Sequence, residues 1–90
     1  MRLVFSADAW ADYQVWVAKG GAELARVNEL IEQSLRMPFK GIGKPEPLMG
    51  DLKGWWSRRI TQEHRLVYRV SGTGDSQSLE IAACRFHYTR

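Results

Sequence analysis

The chain of 90 residues contains few of the residues that form covalent or metal cross-links in small proteins, since it has one cysteine and two histidines. The single cysteine, Cys84, cannot form an internal disulfide, and we interpret it as a small core residue of a cytoplasmic protein. One cysteine and two histidines at unrelated spacings do not indicate a metal site, and we expect no cofactor. No apolar run is long enough to span a bilayer and no signal-like segment is visible, so we expect neither membrane insertion nor export.

The composition is typical of a small globular protein. Hydrophobic residues make up 44% of the chain and include four Trp, which is enough apolar material to form a core without disulfides. A chain of this length has no material for a second core, so we expect residues 1–90 to form one domain.

Positive charge is concentrated in the second part of the chain. Residues 1–37 carry four basic and five acidic side chains, a net charge of −1, whereas residues 38–90 carry nine basic and five acidic ones, a net charge of +4. This asymmetry favours a polyanionic partner, although a modest excess of charge also commonly serves solubility.

The first 38 residues predict a strand followed by a helical hairpin. Leu3 and Phe5 alternate with Arg2 and Val4, which is a short strand pattern. Ser6 is a suitable N-cap for a helix that begins near Ala7. A Gly pair at 20–21 ends this helix, and Pro38 stops the next one. The apolar stripes of the two helices are Trp10, Tyr13 and Val17, then Leu24, Val27, Ile31 and Leu35.

The second part predicts one long ordered loop and three strands. Residues 39–54 are rich in Gly and Pro and have neither helical nor strand periodicity. Strand-like runs follow at 55–60, 65–70 and 79–88, with a tight turn at 61–64 and an exposed loop at 71–78. The order strand, helix, helix, strand, strand, strand predicts an α+β fold in which the helical hairpin covers one face of an antiparallel sheet.

Several charged side chains should gather on the sheet face that the helices leave open. Alternation along a strand places Arg65 and Arg69 on one face and Tyr68 on the other, and it groups Arg85 with His87 in the last strand. Arginine suits bidentate phosphate binding and stays charged at any relevant pH. The alternative is an ordinary solvated basic face.

Two further residues are candidates for acid–base chemistry. Glu46 lies between two prolines, which restrict its backbone and present its carboxylate as a general base would require; alternatively, it merely pairs with Lys44. His87 could donate a proton near neutral pH, or it could be an ordinary surface residue near the chain end. His64 lies in the predicted turn, where we interpret it as structural or incidental.

The segments KGIGKPEPL, LKGWWSRRITQEHRLVYRV and IAACRFHY resemble the YoeB toxins of the RelE/ParE superfamily, and the resemblance extends over nearly the whole chain. It implies a RelE-like, microbial-ribonuclease-like fold. It also implies the activity of a type II toxin, which inhibits translation by metal-independent cleavage of messenger RNA in the ribosomal A site.

The resemblance assigns roles to individual residues. Glu46 corresponds to the general base, Arg65 to the residue that stabilises the phosphorane, and His87 to the general acid, while Tyr88 helps to shape the site. Met49 stands where some members carry a basic residue. Contacts with RNA or the ribosome are expected from the remaining cations of this region, Lys44, Lys53, Arg58, Arg59, Arg69 and Arg85.

The implied partners are messenger RNA on the ribosome, with 16S rRNA of the small subunit, and an acidic YefM-like antitoxin whose disordered tail wraps the toxin. A homodimer is a further candidate assembly, since Trp10 or Trp16 could support an interface, although such residues are more often in the core. Two competing functions remain, a ParE-like gyrase inhibitor and a non-catalytic RNA-binding module. A glutamate between prolines and a near-terminal histidine argue against the first.

Overall fold

A computed structural model describes residues 1–87 of the chain. Strand β1 (Arg2–Phe5) leads into helices α1 (Ala7–Lys19) and α2 (Gly21–Arg36). Four strands follow, and these are β2 (Glu46–Pro47), β3 (Trp56–Arg59), β4 (Arg65–Ser71) and β5 (Ser78–Ala83).

The strands form one sheet in the order β1-β5-β4-β3-β2. The predicted α+β class with an N-terminal helical hairpin is confirmed, but two details were wrong. The sheet is mixed, because β1 runs parallel to β5 while the other neighbours are antiparallel. The segment interpreted as one loop also contains β2. Alternation along a sequence identifies a strand but not the direction of its neighbour, and a pair of residues is too short to show a period.

Local signals set the ends of the helices as predicted. The hydroxyl of Ser6 accepts a hydrogen bond from Ala9 N at 3.0 Å and caps α1. Gly20 and Gly21 have φ of +67° and +75°, a region that suits glycine, and they allow the chain to turn directly from α1 into α2. Within residues 1–87 neither helix combines the length and apolarity needed to cross a membrane.

The core lies between the helices and one face of the sheet. Trp16 is buried, and its indole Nε1 donates to Cys84 O at 2.6 Å. Trp10 and Val17, by contrast, are 52% and 45% exposed, so the predicted stripe of α1 was wrong at these two positions. The buried core residues are Ala9, Trp16, Val27, Leu30, Ile31, Ile60, Leu66, Tyr68, Leu79, Ile81 and Cys84.

Strand β5 ends at Ala83, five residues before the predicted end. Beyond it, Cys84 turns toward α1, where Asp12 Oδ2 accepts its backbone N–H at 3.1 Å. Phe86 adopts φ of +59°, which is incompatible with a strand. The expectation that Arg85 and His87 share a face of a continuous strand was therefore wrong. Tyr88 lies outside the described residues.

Candidate active site on the open face of the sheet

The sheet face opposite the helices, called the open face below, carries several of the predicted site residues. Residues paired directly across two strands share a face, and Glu46 pairs with Ser57 while Arg59 pairs with Arg65. Arg58, between them, points toward α2. Among the residues of the open face are Glu46, Ser57, Arg59, Arg65, Val67, Arg69 and Glu80.

Two arginines oppose each other on this face. Arg59 lies directly across from Arg65, an arrangement of like charges that destabilises a sheet unless an opposite charge compensates it. Neither guanidinium forms an ion pair with a carboxylate of residues 1–87. Within residues 1–87 the hydrogen bonds of the two guanidinium groups come from Nη1 of Arg65, which donates to the carbonyl oxygens of Thr61, Gln62 and His64 at 2.8, 3.1 and 3.1 Å. The pair therefore concentrates positive charge where an anion can bind.

Glu46 lies near this pair, on the neighbouring strand β2. Its side chain is exposed, and among residues 1–87 it forms no ion pair with Lys44 or with another cation. Strand spacing and rise place its Cα about 12 Å from that of Arg65, two strands across and two residues along. A ligand between two such long side chains can contact both.

The chain segment that carries His87 passes beside Arg65. The backbone N of Arg65 donates to Phe86 O at 3.0 Å. His87 therefore directly follows a residue that is hydrogen-bonded to the first residue of β4. His87 is exposed. Thus Glu46 and Arg65 share the open face, His87 follows a residue anchored beside Arg65, and Tyr88 is beyond the described residues.

Arg58 does not belong to the RNA-binding surface on which the sequence placed it. Its side chain is fully buried on the helix side of the sheet. Nε donates to Tyr68 Oη at 3.0 Å, and Nη1 donates to Ile42 O at 3.0 Å and to Gln33 Oε1 at 3.4 Å. Nη2 donates to the carbonyl oxygens of residues 37 and 40. Because every N–H of the guanidinium has a partner, Arg58 has no donor left for RNA.

These contacts fix the loop that leads into Glu46. Gln33 Oε1 also accepts the backbone N–H of Ile42 at 2.6 Å. Gly41 has φ of +113°, and a Cβ there would lie 1.9 Å from Gln33 Oε1, so the close approach requires glycine. The prediction that Arg58 binds RNA was therefore wrong, although its alternation with the apolar Trp56 in β3 indicates that residue 58 faces the helices.

The remaining predicted cations differ in availability. Lys44 and Lys53 are exposed. Arg69 pairs with Glu80 at 2.7 Å and lies 4.5 Å above the ring of Trp55. Hydrogen bonds from Ser71 and from Arg69 lower the pKa of Glu80, so this carboxylate remains charged as a partner.

The segment that follows β5 includes Cys84 and Arg85, and it contacts His64. The guanidinium of Arg85 stacks 4.4 Å from the ring of Phe86. Of the two roles considered for His64, structural or incidental, the contacts support the structural one, because its Nδ1 accepts the N–H of Phe86 at 2.7 Å. Burial, with a smaller contribution from Asp12, raises the pKa of the Cys84 thiol to about 12, so this cysteine is an unreactive core residue.

Two other features lie apart from the open face. An apolar groove of about 360 Å³ between β1 and the helices is lined by Leu3, Phe5, Tyr13, Asn28, Ile31, Glu32 and Leu35, none of them a predicted catalytic residue. In the part of the chain that the structure describes, no three His, Cys, Asp or Glu side chains come together in a group that could hold a metal ion.

Comparison with known proteins connects this geometry to one family. Residues 5–88 match the family model of the YoeB-like toxins of bacterial type II toxin-antitoxin systems. Toxin YoeB of Escherichia coli K12 is 51% identical over 88 residues, which cover 98% of this chain and 100% of the relative.

Solved structures of relatives give the same result. A YoeB/ParE toxin from Agrobacterium tumefaciens superposes with a TM-score of 0.93 at 53% identity, covering 98% of this chain and 100% of that one. YoeB of Staphylococcus aureus, in a heterotetrameric complex with YefM, gives a TM-score of 0.83 at 39% identity and covers 98% of each chain. The S. aureus toxin has also been solved as a dimer.

Proposed function

Since the chain belongs to the YoeB family of type II toxins, we propose that it is an endoribonuclease that cuts messenger RNA in the ribosomal A site. The observation that supports this most strongly is the Arg59–Arg65 pair, which lacks a carboxylate partner among residues 1–87 and shares a face with Glu46. A phosphodiester supplies the missing negative charge. A solvated basic face gives no reason to place two arginines directly opposite each other, since that arrangement destabilises a sheet.

The proposed reaction uses three side chains. Glu46, ionised, takes the proton from the ribose 2′-hydroxyl, and the oxygen then attacks the adjacent phosphorus. Arg65, helped by Arg59, stabilises the charge that develops on the nonbridging oxygens. His87, protonated, gives its proton to the departing 5′-oxygen, while Tyr88 helps to shape the site.

This scheme fixes the products. Cleavage leaves a 2′,3′-cyclic phosphate, or its ring-opened form, and a 5′-hydroxyl end. DNA has no 2′-hydroxyl and is not cut. Because side chains supply the base, the acid and the charge stabilisation, the proposed reaction needs no metal or cofactor.

Ribosome binding is assigned to the exposed cations around the site. Lys44 and Lys53, next to β2, are available for phosphates of messenger RNA or 16S rRNA. Arg69 and Arg85 are secondary candidates, because each already has a partner within the chain. Because such contacts are made to phosphates, we expect ribosome binding to weaken as the salt concentration rises.

The chain is further proposed to act in the cytoplasm as a single domain held inactive by an acidic YefM-like antitoxin, whose charge complements the net +4 of residues 38–90. A homodimer is the second assembly we propose. Trp10, 52% exposed, is available for such an interface, whereas Trp16 is buried in the core.

A programmed-ribosome assay tests the function. Purified protein is incubated with ribosomes that carry a defined message, and the message ends are mapped and their chemistry determined. We expect one cut per A-site codon, with 5′-hydroxyl and 2′,3′-cyclic phosphate ends, and little cleavage of the same message without ribosomes.

Two other outcomes would favour the competing functions. Intact messages together with inhibition of DNA gyrase supercoiling would indicate a ParE-like toxin. Tight RNA binding with neither activity would indicate a binding module. Either result contradicts the proposed nuclease.

A further inference from the structure

The backbone beyond β5 is held by side chains from elsewhere in the fold. At Cys84 the N–H donates to Asp12 Oδ2 at 3.1 Å, and the carbonyl accepts from Trp16 Nε1 at 2.6 Å. Both partners belong to α1. The chain therefore leaves the sheet in a fixed direction before it reaches His87.

Phe86 is held at both of its backbone groups. Its N–H donates to Nδ1 of His64 at 2.7 Å, and its carbonyl accepts from Arg65 N at 3.0 Å. Its φ of +59° lies in the left-handed region, which is unusual and strained for a bulky residue. These two contacts, called the Phe86 clamp below, hold a conformation that the residue would not adopt by itself.

His64 is positioned to serve as one side of this clamp. Its side chain is 16% exposed, and its ring packs edge-to-face on Trp16 at 4.9 Å and against Phe86 at 5.3 Å. Because the N–H of Phe86 is the donor, Nδ1 must carry a lone pair, so His64 is neutral with its proton on Nε2. Protonated His64 has two donors and no acceptor, and it cannot form the contact.

We propose that His64 is a positioning residue for His87: its neutral imidazole holds Phe86 in the left-handed conformation and thereby directs the following residue toward the phosphate site beside Arg65. The inference rests on the proposed function, since it concerns the geometry of the general acid. Loss of the clamp lets residue 86 relax toward an extended backbone, which redirects His87.

Two substitutions at one position separate the acceptor from the ring. In His64→Asn the amide oxygen stands where Nδ1 stands, so the acceptor remains while the ring is lost. In His64→Gln the polar atoms stand near the place of Nε2, and the acceptor at the Nδ1 position is lost. The Asn variant is therefore the matched control for the Gln variant.

The readouts are kcat and KM on programmed ribosomes, together with hydrogen exchange of the Phe86 amide. We expect His64→Gln to lower kcat by about tenfold or more with little change in KM, because small misplacements of a catalytic group are costly. It should also abolish protection of the Phe86 amide. His64→Asn should recover most of kcat and most of the protection.

Several results would overturn the inference. One is equal loss of kcat in both variants, and another is wild-type kcat in His64→Gln despite an unprotected Phe86 amide. If the Gln variant does not fold, the Asn variant still decides, because a protected Phe86 amide with a roughly tenfold loss of kcat, or an unprotected amide with wild-type kcat, contradicts the role of the acceptor. Failure of the wild type to cleave would instead reject the proposed function, and the exchange experiment would still report on the clamp.

Discussion

His87→Gln should leave ribosome binding intact and slow cleavage by roughly two or more orders of magnitude, the usual contribution of a general acid. Glutamine keeps a polar side chain of similar size but cannot release a proton to the 5′-oxygen. Since His87 is exposed, its replacement should have little effect on stability. Single-turnover cleavage rates and co-sedimentation with ribosomes measure the two effects separately.

A matched control is Arg36→Gln, a change at an exposed residue of α2 that lies outside the open face. It should cleave at the wild-type rate. A His87→Gln rate within about threefold of the wild type would remove His87 from the role of general acid. Loss of ribosome binding instead would show that the side chain binds rather than transfers a proton.

Arg58→Met should destabilise the protein by roughly 3 kcal/mol or more. Methionine fills similar space but leaves the carbonyl oxygens of residues 37, 40 and 42 without their buried donor, at about 1–3 kcal/mol each. For a domain of this size, this corresponds to a fall in Tm of about 12 °C or more. Thermal unfolding followed by circular dichroism measures the change.

The neighbouring residue provides the comparison. Arg59→Met alters an exposed guanidinium on the open face and should change stability by only about 0.5 kcal/mol. Arg58→Lys should fall between the two, because a lysine offers three donors from a single nitrogen and cannot reproduce the planar arrangement. Equal Tm values for the two methionine variants would show that the buried network contributes little to folding.

Much of this fold could be predicted because its signals are local. Ser6 caps a helix and the Gly20–Gly21 pair ends it, each through the backbone of its immediate neighbours. Alternation placed Arg65 and Tyr68 on opposite faces of β4, as the contacts show. The family could likewise be assigned from motifs spread along the chain.

The features that the sequence did not reveal depend on distant contacts. Arg58 is buried because carbonyl oxygens of a loop many residues away surround its guanidinium, whereas a basic residue in a strand usually indicates an exposed face. β5 ends at Ala83 because α1 and the turn at His64 hold the following backbone. Residues of α1, of the turn at 61–64 and of β4 thus decide where the candidate acid lies.

In the proposed reaction the ribose 2′-hydroxyl attacks the phosphorus between the carboxylate of Glu46, on β2, and the imidazole of His87. The most direct measurement uses a message with one 2′-deoxynucleotide at the mapped cleavage position, bound to the ribosome beside an all-ribose control. We expect the control to be cut and the substituted linkage to stay intact. Cleavage of the deoxy-substituted linkage at a comparable rate would contradict it.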